Sequence, residues 1–371
     1  MTNHNFGKAD ILIIGRSDEA SPIAKAFQSK KIKSEFFNLN KDEKELDSKC
    51  ADEHLKLVIE DNVEQLYEKE KLLKRIDQLC PPGVLIATNS ALINPYKLVE
   101  EVKGKDRIVW INFLFPELQM NTCEYSNIHE TKEENLKTVS DYLTLLGRIE
   151  SVRLLKCRKG GAAGIIFVSL LLEATRMIDD GADLSTIEKA SRQVFKLSNG
   201  FLSLIDEIGI PKIVSFLSSF SDSTDGEDDL YKSYDNFFTP SKTIEELFEK
   251  YKKEDDKSYI KLMPESDARK EVKDLMLLDM LERRFLGVLF MTSTEVVNAG
   301  LIEMEDMDRL CTKTFKWKEG PFAMMNRLSL KEAMRIVTEK MELSHRKEIN
   351  FPIPDLLINQ MQKNSPWNLK E

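Results

Sequence analysis

Hydrophobic positions along the first 155 residues alternate between two periods. Residues 10–15 (D-I-L-I-I-G) form a short β-branched run ending on a glycine, and residues 19–30 follow with helical spacing. Residues 34–40 and 55–60 read as second and third strands. Residues 63–79 then carry Leu66, Leu72, Leu73, Ile76 and Leu79 on one helical face. Cys80-Pro81-Pro82-Gly83 stops that helix, and residues 84–89 and 107–113 are two more apolar strands. Strands alternating with helices at this spacing predict βαβ units and a parallel sheet.

From about Gly160 the pattern is helical only, over residues 165–180, 185–195, 201–220, 243–253, 268–298 and 329–343. The acidic, small-residue stretch 221–234 predicts an exposed loop. Two blocks of this half repeat. Gly181, Ile187-Glu188, Phe195-Lys196 and Gly200-Phe201 are matched by Gly300, Met307-Asp308, Phe315-Lys316 and Gly320-Pro321-Phe322. A duplicated helical unit packing against its twin is the physical reading.

Composition narrows the function classes. Lys and Arg number 54 against 63 Asp and Glu, a formal net charge of −9, which argues against general nucleic-acid binding. Only 15 glycines and 12 prolines interrupt the 371 residues, so long helices dominate. The five cysteines are scattered without a C-x-x-C pair, so free thiols are expected, with no disulfide framework and no metal site. The longest apolar run, residues 165–172, falls far short of the ~20 that span a bilayer. The N-terminal residues lack an apolar signal core. A cytoplasmic protein without a membrane partner is the expectation.

The turn after the first strand reads Gly15-Arg16-Ser17-Asp18-Glu19-Ala20, where a dinucleotide fold uses G-x-G-x-x-G to bring backbone N–H groups to a pyrophosphate. Gly15 alone survives; Ser17 and Ala20 are small, and Asp18 and Glu19 put negative charge at the helix start. The acidic residue expected after the second strand, to hold the ribose, falls near Asn38. The cofactor-binding candidates are thus Gly15, Ser17, Ala20 and Asn38, a degenerate set, so NAD binding is possible but weakened. The basic cluster Lys156-Cys157-Arg158-Lys159 is either a phosphate site or, the plainer reading, a solvated interdomain linker.

A family resemblance rests on motifs in order: Val58-Ile59-Glu60, Glu64 with Leu66 and Lys69, Ile86 through Ala91, and Asp106 through Pro116. Gly147 before a strand, Leu172-Glu173-Ala174 on a helix, the paired Gly200-Phe201 and Gly320-Pro321-Phe322, and Phe351-Pro352-x-Pro354 continue it. Together they resemble the 3-hydroxyacyl-CoA dehydrogenase family, whose long multifunctional β-oxidation members carry two copies of the helical domain. The fold class implied is α/β plus all-α: a shortened Rossmann-like domain (1–156) and two repeated helical domains (157–266 and 267–371). The family's helical excursion between the second and third strands is reduced to a charged link over residues 40–55.

The resemblance implies hydride transfer between a 3-hydroxyacyl-CoA and NAD, with a histidine base oriented by a glutamate and a serine and an asparagine on the substrate oxygen. Carried over one by one, the serine of S-N-T-S falls at Ala91, in Thr88-Asn89-Ser90-Ala91. The histidine of H-F-F-N-P falls at Asn112, and the glutamate twelve residues on is Glu124. The asparagine of P-G-F-x-x-N-R falls at Gly164, or at Ala162 without a two-residue insertion. An asparagine cannot take a proton near pH 7. His4, His54, His129 and His345 sit among surface-like residues and offer no substitute. The implied function is a non-dehydrogenating subunit or acyl-CoA-binding paralogue. It would be a homo- or hetero-oligomer through its helical domains, beside an active dehydrogenase or thiolase subunit, with a CoA thioester as possible ligand. The alternatives are an acyl-CoA-processing enzyme using Glu124 itself, a carboxylate set among Phe113, Leu114 and Cys123, or residual NAD-dependent oxidation.

Overall fold

The computed structural model describes residues 10–16, 22–41, 43–114, 122–145, 150–221, 236–254 and 261–369. Ser17, Asp18, Glu19 and Ala20 of the cofactor turn lie outside the described residues, as do His4, Phe115, Pro116, Gly147 and stretch 222–234. The chain divides into two compact units, Met1–Gly161 and Ala162–Glu371.

The first unit is built on seven strands: β1 (Ile11–Gly15), β2 (Ser34–Asn38), β3 (Leu57–Asp61), β4 (Leu85–Asn89), β5 (Ile108–Asn112), β6 (Thr122–Asn127) and β7 (Glu150–Arg153). Their order is β2-β1-β3-β4-β5-β6-β7. All neighbours pair in parallel except β5 and β6. β1 and β5 are buried at every position, and β3 and β4 at all but the last, as strands covered on both faces require. The edge strand β2 buries only Phe37. Helices α1 (Pro22–Ser29), α2 (Glu43–Cys50), α3 (Leu66–Leu79), α4 (Pro95–Leu98) and α5 (Glu133–Thr144) complete the unit.

The charged link between β2 and β3 is not featureless. It folds as α2, because Leu46 and Cys50 stand one helical turn apart and are both buried. The hydrophobic pattern does not predict helix α5 or strand β6. The segment 122–127 alternates too weakly to read as a strand alone, and pairing with β5 makes it one.

The second unit contains α6 (Gly161–Asp179), α7 (Leu184–Phe195), α8 (Phe201–Ile208), α9 (Ile210–Ser221), α10 (Lys242–Lys253) and α11 (Glu265–Ala268). It continues with α12 (Leu275–Asn298), α13 (Met304–Thr314), α14 (Pro321–Leu328), α15 (Leu330–His345) and α16 (Asp355–Gln362). The continuous helix expected over 201–220 is two helices, because Gly209 takes φ +93° between them. The helix expected from 268 starts at Leu275, where the Asp274 side chain caps it by accepting from Leu277 N–H at 2.9 Å. By length and composition α6 could cross a membrane, since Gly, Ala, Ser and Thr extend its apolar run. Yet 94% of that apolar window is buried inside the protein, so here it is a core helix.

The repeat is visible in backbone conformation. Lys196 and Lys316, each just past the end of its helix, both take φ +57°, and Gly209 and Ser329 (φ +80°) both turn the chain 120 positions apart. Glu188 on α7 accepts from Gly200 N–H at 2.8 Å and Leu202 N–H at 3.1 Å, so it caps the start of α8. Asp308 on α13 does the same for α14, accepting from Phe322 N–H at 2.8 Å and Ala323 N–H at 2.9 Å. A Cβ at Gly200 would lie 2.5 Å from the Glu188 carbonyl oxygen, and one at Gly320 would lie 2.3 Å from the Asp308 carboxyl carbon. The glycines recur because an acidic side chain one helix earlier must reach past them to the next helix's free N–H groups.

Candidate functional site

The one antiparallel pairing among the described strands creates the first feature of interest. Its register sets Asn112, last residue of β5, directly opposite Glu124 on β6. A spacing of twelve residues in sequence therefore becomes a contact. Asn112 and Glu124 are 1% and 2% exposed. Asn112 Nδ2 donates to Glu124 Oε2 at 2.8 Å and to the Gly160 carbonyl at 3.3 Å. Two acceptors on that side fix the amide orientation. Asn112 Oδ1 is left buried with no partner among the described residues.

Two glycines pack beside this pair. Gly160 N–H donates to the Ala91 carbonyl at 2.7 Å, tying the segment after β7 to the end of β4. Gly161 has φ +62°, and a Cβ there would stand 2.0 Å from Glu124 Oε2 and 3.0 Å from Asn112 Nδ2. Any other residue would occupy the space the carboxylate fills. The same tie corrects the reading of Lys156–Lys159 as a solvated linker: Cys157 and Lys159 are buried and Arg158 half-buried, leaving Lys156 exposed.

Ala91, at the resemblance's serine position, has no side-chain polar group, but its N–H donates to Glu64 Oε1 at 2.7 Å. Ser90 Oγ donates to Glu64 Oε2 at 2.9 Å. Burial pushes the Glu64 carboxyl above its usual range, against the opposing pull of Lys69. Gly164, the position matched to the family asparagine, lies in the helical unit, where a Cβ would meet Phe216 at 2.9 Å. Its glycine serves packing on α6.

Sequence reasoning assigned no role to a second network under the same strand ends. Lys69 and Glu60 are both fully buried; Lys69 Nζ sits 3.0 and 2.9 Å from the two Glu60 oxygens and 2.6 Å from the Asn89 carbonyl. Thr88 Oγ1 donates to Glu60 Oε2 at 2.7 Å, and Asn89 Nδ2 to Asp61 Oδ1 at 2.8 Å. Burial pulls the Lys69 ammonium down, but Glu60 and Glu64 outweigh it and hold its pKa above the ordinary value. One signal was available: Lys69 falls on the apolar stripe of α3, three residues from both Leu66 and Leu72. A cation there needs a buried anion. His54, His129 and His345 are exposed, as their charged surroundings suggested.

The cofactor candidates are only partly described. Gly15 ends β1 where a Cβ would come 2.8 Å from the Asp61 carbonyl oxygen, so glycine is needed for the approach of β3. Asn38 is its β2 neighbour in register, and its Oδ1 already accepts from Asn40 N–H at 3.0 Å. The carboxylate acceptor that the ribose diol of NAD takes is therefore not offered at the end of β2. Ser17 and Ala20 fall outside the described residues. Among the described residues no cluster of His, Cys, Asp and Glu could hold a metal ion.

Residues 12–154 match the family described as "3-hydroxyacyl-CoA dehydrogenase, NAD binding domain". The peroxisomal fatty acid beta-oxidation multifunctional protein of Arabidopsis thaliana is 26% identical over 174 residues, which are 45% of this chain and 23% of that protein. The mitochondrial hydroxyacyl-coenzyme A dehydrogenase of Sus scrofa is 26% identical over 157 residues, 42% of this chain and 49% of that one. The match thus spans half or less of these relatives. In fold, the likeness extends to 96% of the chain. It superposes on 99% of the crystal structure of 3-hydroxybutyryl-CoA dehydrogenase from Escherichia coli K12 with a TM-score of 0.71 at 16% identity. The chain is thus similar in sequence to the 3-hydroxyacyl-CoA dehydrogenases over residues 12–154, and similar in fold to one 3-hydroxybutyryl-CoA dehydrogenase along nearly its whole length.

Proposed function

We propose that this chain is a non-dehydrogenating member of that group, which binds a hydroxylated or carbonyl-bearing acyl-CoA and works in an oligomer beside an active dehydrogenase or thiolase subunit. The observation that carries the reading is the bond from Asn112 Nδ2 to Glu124 Oε2, made where the resemblance calls for a histidine base. Oxidation of a 3-hydroxyl requires its proton to leave as hydride departs, and an amide oxygen does not accept a proton near neutral pH. The buried Asn112 Oδ1 can still accept a hydrogen bond from a substrate hydroxyl. Recognition without proton removal is what that group supports.

Direct use of Glu124 is less well supported. Its Oε2 is engaged by Asn112, and the backbone of Gly161 stands against it with no room for one added carbon. The decisive assay is NADH formation from 3-hydroxybutyryl-CoA and longer 3-hydroxyacyl-CoAs. We expect the wild-type rate to lie at least ~10²-fold below the ordinary enzyme range of 1–10³ s⁻¹. Asn112→His, combined with Ala91→Ser, should raise it, because imidazole Nδ1 can take over the bond to Glu124 and present Nε2 to the hydroxyl. Wild-type turnover within the ordinary range, abolished by Glu124→Gln, would overturn the reading.

A further inference from the structure

The parallel order β2-β1-β3 places a change of strand direction at β1, and open α/β sheets bind ligands in the crevice outside the carboxyl ends at such a point. A cleft lies there in this chain, lined by Arg16 after β1, Lys41 after β2, Asn62 after β3, and Lys71 and Arg75 on α3. Phe37, Leu46 and Leu72 give it an apolar floor. Four cations thus face a cleft whose lining includes one carboxylate, Glu68.

The cations are of two kinds. Arg16 is steadied by Glu68 at 3.1 Å, and Arg75 by Asp47 at 2.7 and 3.0 Å. Lys41 and Lys71 have no carboxylate partner among the described residues. Asn62 adds an independent sign of a ligand: it is 9% exposed, its N–H donates to Glu60 Oε1 at 2.8 Å, and its Oδ1 is buried with no partner. A buried acceptor on the wall of a cationic cleft calls for a ligand with both an N–H donor and negative charge.

We propose that this cleft binds an adenosine nucleotide carrying a phosphate on its ribose ring in addition to the one at the 5′ position. The base amine would meet Asn62 Oδ1 over the apolar floor, and Lys41, Lys71 and the arginines would meet the ribose phosphate. The amide at Asn38, where a carboxylate would repel that phosphate, accords with the same choice. A free ribose diol gains nothing from four cations; a dianionic phosphate gains from each. The ligand class could come from a 2′-phosphorylated dinucleotide or from coenzyme A, whose ribose phosphate is at the 3′ position. The inference stands apart from the reading of Asn112, since it concerns binding at β1–β3 and not chemistry at β5–β6.

Isothermal titration of the full-length chain at ~50 mM salt tests it, with 2′,5′-ADP, 3′,5′-ADP, 5′-AMP and inorganic phosphate as probes. One bisphosphate should bind at least ~10-fold tighter than 5′-AMP and tighter than phosphate, and the preferred isomer names the source. Raising salt to ~0.5 M should erode most of that preference. Lys41→Glu and Lys71→Glu, both exposed positions that leave the fold intact by circular dichroism, should remove it. Asn62→Leu should weaken AMP and bisphosphate alike. Equal binding of AMP and the bisphosphates, no binding of either bisphosphate, or a preference that survives both lysine substitutions would overturn the proposal.

Discussion

Replacing Gly161 by alanine tests the site most directly, because backbone and side-chain costs coincide there. Gly161 has φ +62°, a region that costs a residue with a Cβ about 1 kcal/mol. The added carbon would lie 2.0 Å from Glu124 Oε2 and 2.7 Å from its carboxyl carbon, where ordinary contacts begin near 3.4 Å. The carboxylate must swing away and give up its 2.8 Å bond from Asn112. A buried hydrogen bond to a charged group contributes about 1.5–3 kcal/mol. Together these predict a loss of about 2.5–4 kcal/mol, a large part of a domain's stability. Urea unfolding followed by far-UV circular dichroism would read it, with Gly83→Ala as control, since a Cβ there meets nothing within 4 Å. In a Glu124→Ala background the added cost of Gly161→Ala should fall to the backbone share, about 1 kcal/mol. A Gly161→Ala protein within ~1 kcal/mol of the Gly83→Ala control would refute the close approach of Gly161 to Glu124.

Three further expectations concern buried charge. Glu173 is fully buried between Lys340 Nζ and Arg284 Nε, each 2.6 Å away. Burial alone would raise its pKa, but Lys340 and Arg284 outweigh it and bring it to about 2. Its stabilisation, about 3 kcal/mol, is complete above the unfolded carboxyl's pKa near 4.5 and is lost as pH falls towards 2. Glu173→Gln should flatten that limb of the stability–pH curve and cost about 3–5 kcal/mol at pH 7, measured by urea midpoints. Asp308 has the opposite sign: burial raises it to about 6, so stability increases as pH falls from above 6 to below 4, by about 3 kcal/mol. Asp308→Asn should remove that slope, whereas Asp308→Ala strands two helix N–H groups and should destabilise at every pH. Lys69→Met should cost about 3–5 kcal/mol at pH 7 by leaving Glu60 uncompensated, and Glu60→Gln added to it should recover most of the loss in the same denaturation assay.

Most of the scaffold was legible in the chain. The central strands β1, β3, β4 and β5 are continuous apolar runs because both faces are covered, and such runs announce themselves. The two-block repeat was legible for a similar reason: Gly200 and Gly320 must each admit an acidic side chain, so small and acidic residues recur at a fixed distance. The weakly alternating strand β6 was not legible. Neither was the break at Gly209, because a glycine within a helical pattern does not declare whether it will take φ +93°.

The candidate site divides along the same line. Sequence alone determined which side chains were present: an amide at 112, a methyl group at 91 and a carboxylate at 124. Only the tertiary structure decided what those groups do to one another. Antiparallel pairing turned twelve residues of separation into a 2.8 Å bond, and a left-handed glycine gave the carboxylate its space. Strand order likewise gathered Arg16, Lys41, Asn62 and Lys71 from four segments into one cleft. Composition and period are local properties that a chain carries in its order of residues. Burial, register and the field at a strand end depend on neighbours distant in sequence, which only the folded chain supplies.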